Sequence, residues 1–133
     1  SALKSQGLAT RIREALDGAD QVQGVPYAAL DLGELDGKGM KEAGDAAKQA
    51  LHSGVVLLGS CSGEKASLVC VVSKDMQDKG LKAGDIVRAA AETVGGKGGG
   101  RPDLAQAGGK EPEKLPAALE ALPKILAAAL AQG

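Results

Sequence analysis

Apolar positions fall into blocks whose spacing switches along the chain between the helical and the extended repeat. In SALKSQGLATRIREALD, Leu3, Leu8, Ile12, Ala15 and Leu16 recur near helical spacing. That segment opens without a cap and carries Gly7, as the tail of a longer helix would. DQVQGVPYAALDL combines β-branched residues and Tyr27 with an early Pro26, which suits an edge strand better than a central one. DGKGMKEAGDAAKQALHSG brings Met40, Ala43, Ala47, Ala50 and Leu51 to one helical face, with Gly54 as the stop two residues past His52. Two apolar runs follow, VVLLGS and ASLVCVV, joined by the short glycine-bearing CSGEK. They predict an antiparallel hairpin, buried on both faces, at the centre of a sheet.

KAGDIVRAAAETV reads as a helix with Ile86, Val87, Ala90 and Val94 inward, ending at Gly95 and Gly96. A glycine-rich loop comes next, then a short strand at LAQAG. PEKLPAALEALPKILAAALAQ closes the chain as one helix with Leu115, Leu119, Leu122 and Leu126 on a stripe. Pro123 should kink it, because proline removes a ladder hydrogen bond and crowds the carbonyl of Leu119. The order predicts an α/β or α+β fold: a small mixed sheet with packed helices, and a glycine-rich loop between a helix and a short strand. No solenoid period is present.

The glycine segment VGGKGGGRPDLAQAGGK, residues 94 to 110, holds seven of the chain's 20 glycines. Phosphate-binding templates do not fit it. A Walker loop needs Lys followed by Ser or Thr, whereas Gly100 is followed by Arg101 and Pro102. The dinucleotide fingerprint must follow a strand, and this segment follows a helix. A flexible linker is the bland alternative, but Leu104, Ala105 and Ala107 can bury and a helix must still pack behind them, so the loop is anchored at both ends. Bare amides beside Lys97 and Arg101 suit the close approach of a phosphodiester backbone.

Composition narrows this further. The chain has 133 residues with one Tyr, no Phe and no Trp, so the core is aliphatic and base stacking, the usual grip on single strands, is essentially unavailable. Sixteen basic residues against seventeen acidic ones give a net charge of -1, so any nucleic-acid contact has to be local. Lys97, Arg101 and Lys110 against Asp103 give the glycine segment a local charge of +2. Cys61 and Cys70, with His52 as a further soft ligand, form neither a zinc quartet nor a disulfide framework. They read as free thiols of a cytosolic protein. The uncharged run ILAAALA is far short of the ~20 residues of a membrane span.

Other residues have ordinary explanations. His52 lacks an orienting partner and sits at a helix C-terminus, where a cation is favoured. Ser60, Cys61 and Ser62 lack the pattern of a nucleophile elbow and read as hairpin polarity. Tyr27 reads as half-buried on the sheet, and Lys4, Arg11 and Arg13 as a solvated helical face.

The run VGGKGGGRPDLAQAGGK, preceded at matching distance by VVLLGS, LVCVVSKD and GLKAGDIV and followed by LPAAL, resembles the C-terminal domain of bacterial alanyl-tRNA synthetases. That domain is DHH-associated and occurs also behind some phosphoesterases. The resemblance covers residues 21 to 131, and residues 1 to 20 resemble the end of the helical linker and oligomerisation subdomain that precedes it. It implies a globular unit over 21–133, without catalytic residues, metal or cofactor of its own, working in the cytoplasm. It also implies a tRNA-binding role: contact with the corner of tRNA(Ala), coupling of aminoacylation to editing, association with the remaining synthetase domains, and homodimerisation in some members. The loop then supplies the candidate RNA contacts, Lys97, Gly98, Gly99, Gly100, Arg101, Gln106 and Lys110. The competing reading is a domain-positioning or dimerisation module with the glycine segment as a packing turn. A phosphodiester hydrolase finds no metal set or acid–base pair in the sequence.

Overall fold

A computed structural model describes residues 2–18, 21–34, 37–51 and 53–132. The elements in chain order are α1 (Ala2–Asp17), β1 (Gln21–Val22), β2 (Val25–Glu34), α2 (Gly37–Ala50), β3 (Val55–Ser62), β4 (Lys65–Val72), α3 (Lys74–Asp78), α4 (Ala83–Thr93), β5 (Lys97–Gly100) and β6 (Leu104–Gly109). A 3-10 turn at Pro112–Lys114 then leads into α5 (Leu115–Glu120) and α6 (Leu122–Gln132). Among the described residues the strands form one mixed sheet in the order β1-β2-β3-β4-β6-β5. Only β2 and β3 pair in parallel. A parallel pair needs a long crossover, and α2 supplies it.

The hairpin of β3 and β4 lies at the sheet centre, as its apolar runs predict. Alternate residues serve opposite faces. Val55, Leu57, Leu68, Cys70 and Val72 join Ile86, Val87 and Ala90 of α4 with Leu115, Leu122 and Leu126 of the last helices. Val56, Leu58, Val69 and Val71 join Met40, Ala43 and Ala47 of α2 with Ile12 of α1. Each fully buried Leu, Ile or Val contributes about 1.5–3 kcal/mol relative to exposure, so two such layers sustain a core without aromatic bulk. Tyr27 is half-buried against the first layer, and Arg11 and Arg13 are exposed.

Three expectations need correction. DQVQGVPYAALDL is two strands, because Gln23 and Gly24 take φ 52 and 85 and make the two-residue turn that hairpins with both positions at positive φ require. Only two residues of β1 cover the outer edge of β2. The expected glycine loop is itself strand β5 from Lys97 to Gly100, and the short strand β6 lies inside it, between β4 and β5. The closing helix is two helices that break at Ala121. Pro123 is the second residue of α6, in a first turn where its missing N–H costs nothing.

Candidate nucleic-acid interface

β5 forms one edge of the sheet, hydrogen-bonded to β6 through Lys97↔Gly108, Gly98↔Ala107, Gly99↔Gln106 and Gly100↔Ala105. Register partners share a face, so Lys97, Gly99 and Gln106 lie on the same side as Leu104, which packs with the α2 layer. Gly98 and Gly100 lie with Ala107 and Ala105 on the α4 side. The connection between the strands is held by backbone bonds. Arg101 N–H donates to Leu104 O at 3.2 Å, Ala83 N–H to Pro102 O at 2.9 Å and Val72 N–H to Asp103 O at 2.9 Å.

The glycines divide into two sets. A Cβ on Gly98 would overlap the Cβ of Ala107, one on Gly96 the carbonyl oxygen of Gly108, and one on Gly109 the carbonyl oxygen of Val94. Gly100 passes under α4, where a Cβ on Gly84 would stand 3.0 Å from the Gly100 oxygen. These glycines let backbone lie against backbone. Gly99 differs: nothing lies within 4 Å of its Cβ position, and the space left open faces a groove.

That groove, of about 410 Å³, runs between the hairpin and the C-terminal part of α2. Gly99, Gly100, Arg101 and Gln106 line one wall, and Asp45 and Lys48 the other. Four of the seven residues expected from the sequence are thus brought to one groove. Lys97 is exposed on the same face of the hairpin, Gly98 belongs to the packing set, and Lys110 is exposed just past β6. Among the described residues Lys97, Arg101 and Lys110 form no ion pair.

Lys48, which sequence reasoning missed, donates from Nζ to Asp103 Oδ2 at 2.9 Å. This hydrogen bond holds the Asp103 carboxyl below its ordinary value. The pair is partly exposed, and surface pairs of this kind are worth about 0–1 kcal/mol. Its partners lie 55 residues apart in sequence, so only the topology that returns α2 alongside β6 joins them. The groove thus brings together bare backbone, the cations Arg101 and Lys48, and the carboxylates of Asp45 and Asp103.

The remaining candidates carry no competing chemistry. Ser60 is fully buried in β3 and Cys61 is half-buried with a free thiol. Burial pushes the Cys70 thiol far above its usual range, which leaves it unreactive. His52 and the side chains of Lys4 and Ser62 lie outside the described residues. Among the described residues no three His, Cys, Asp or Glu side chains cluster as a metal site, and no helix is long and apolar enough to cross a membrane.

Comparison with known proteins gives a consistent result. A family model described as the DHHA1 domain matches residues 24–128. The alanine–tRNA ligase of Magnetococcus marinus is 44% identical over 121 residues, covering 91% of this chain and 14% of that protein. That of Desulforamulus reducens is 39% identical over 125 residues, 94% of this chain and 14% of that protein. The chain therefore spans about one seventh of the length of these relatives. Among solved structures, the C-Ala domain from Aquifex aeolicus alanyl-tRNA synthetase superposes with a TM-score of 0.72 at 33% identity, over 81% of this chain and 96% of that one.

Proposed function

The chain belongs to the DHHA1 domain family, and from that premise we propose that it is the non-catalytic RNA-binding module of an alanine–tRNA ligase, which lays the β5–β6 hairpin and its groove against the backbone of tRNA(Ala). The observation that carries this reading is the convergence of Gly99, Arg101, Gln106 and Lys48 on one groove beside Lys97. Phosphate contacts position a protein on RNA, and this groove offers cations and exposed main chain for that purpose. The corner of the tRNA, where backbone from two arms meets, is the proposed contact. Residues 1–20 are proposed to continue into the helical linker of the parent ligase, so that RNA held here is delivered to both its aminoacylation and editing sites.

The competing packing-turn reading is favoured for Gly96, Gly98 and Gly109 by their backbone contacts. It leaves unexplained Gly99 and the side chains of Lys97 and Arg101, which form no ion pair among the described residues. The two readings therefore divide the segment: packing shapes the hairpin, and RNA uses its open face.

With one half-buried tyrosine as the chain's only aromatic residue, recognition has to rest on shape and backbone. A single stacked base is worth about 1–3 kcal/mol, and this domain forgoes it. Intact tRNA(Ala) is accordingly expected to bind about tenfold more tightly than an unstructured RNA of equal length. A competition titration measures this, and equal affinities would remove the case for shape recognition.

A further inference from the structure

Lys48 and Asp103 border two cavities at once. Both line a second groove, of about 510 Å³, which runs over Val71 and Ser73 to Lys74 and Gln77, and Lys48 and Asp103 also belong to the groove along the glycine hairpin. Their ion pair stands at the junction. On one side are Gly99, Arg101 and the carboxylate of Asp45, on the other Lys74, so an RNA backbone lying in both grooves would meet the Lys48–Asp103 contact.

We propose that Asp103 is an internal stand-in for phosphate: its carboxylate occupies Lys48 in the free domain, and an RNA phosphate takes its place when the backbone enters the groove. This makes Lys48 an RNA contact and Asp103 a brake on affinity. The inference rests on the reading that the hairpin groove binds RNA.

The chemistry permits the exchange. A carboxylate and a phosphate offer an ammonium equivalent charge-assisted hydrogen bonds. The Lys48 and Asp103 side chains are 54% and 31% exposed, so water and salt reach the pair and weaken it. Lysine's flexible stem lets the ammonium follow a new partner. The position of residue 103 does not depend on the pair, because its carbonyl oxygen accepts from Val72 N–H at 2.9 Å. What Asp103 adds is a negative charge beside the path of a polyanion, which opposes binding.

Binding of transcribed tRNA(Ala) to the 133-residue chain, measured at several salt concentrations, tests this with Asp103→Asn, Lys48→Met, the double variant and Lys97→Ala/Arg101→Ala. Asp103→Asn should bind about three- to tenfold more tightly, as removing one like charge at close range predicts. Lys48→Met should weaken binding and flatten the slope of log K against log salt by about one unit or less. In the double variant most of the gain from Asp103→Asn should disappear, since no ammonium is left to release. Unchanged or weaker binding by Asp103→Asn, while Lys97→Ala/Arg101→Ala loses affinity, would overturn the inference and leave the groove as the RNA site. Unchanged affinity in Asp103→Asn, Lys48→Met and Lys97→Ala/Arg101→Ala alike would overturn the groove reading, and the inference with it. Lys48→Met provides a second route: affinity equal to the parent's would overturn the exchange even if Asp103→Asn failed to fold.

Discussion

Gly98→Ala is expected to lower the melting temperature by about 5–10 °C, while Gly99→Ala, one residue along the same strand, raises it by about 2–4 °C. The added methyl at Gly98 would overlap the Cβ of Ala107 across the β5–β6 pair, and both residues lie on the face covered by α4. Replacing glycine inside a strand ordinarily stabilises by roughly 0.5–1 kcal/mol through the unfolded chain. Overpacking costs about 1–3 kcal/mol, and overlap with a neighbouring strand belongs at the top of that range. The net loss of about 2 kcal/mol corresponds to roughly 4 °C for each kcal/mol in a domain of this size. At Gly99 no atom lies within 4 Å of the new methyl, so the overpacking cost vanishes. Thermal unfolding followed by circular dichroism compares the two variants, and equal melting temperatures would contradict the division of the glycines into packing and open sets.

The second large effect is on affinity. Lys97→Ala/Arg101→Ala should weaken tRNA binding about a hundredfold at low salt and reduce the salt slope by almost two units, close to one for each phosphate contact. Neither side chain forms an ion pair among the described residues, and both residues are exposed. Thermal stability should therefore stay within about 0.5 kcal/mol of the parent, as for surface substitutions generally. Gly99→Ala should also weaken binding, by filling the space over the backbone, but with little change in salt slope because no charge is lost. Affinities unchanged in all these variants at low salt would end the RNA-contact reading of the hairpin.

What the sequence disclosed follows from where the physics is local. The runs Val55–Ser60 and Ala66–Val72 announce central strands because both faces of β3 and β4 are buried, so polar alternation is absent. The inward faces of α2 and α4 are legible because a helix packed on one side repeats its apolar positions at helical spacing. The glycine segment misled because glycine has poor strand propensity. Its strand is imposed by pairing with β6 and by the bonds from Ala83 and Val72 to the connection. The turn at Gln23 is hidden in the sequence because a non-glycine residue at positive φ has little sequence signature. The cations of the candidate site were partly legible: Lys97 and Arg101 stand out among glycines, whereas Lys48 is one charge on the solvated side of a helix. Its place in the groove depends on a fold that sets it against a residue 55 positions away.

The central claim is that RNA lies on the α2-side face of the β5–β6 hairpin, and its most direct test is photocrosslinking of the chain to intact tRNA(Ala) with the attached residues mapped by mass spectrometry. Crosslinks concentrated at Lys97, Gly99, Arg101, Gln106 and Lys48 are the predicted result. Crosslinks confined to α5 and α6 on the opposite face, with none in residues 97–106, would contradict it.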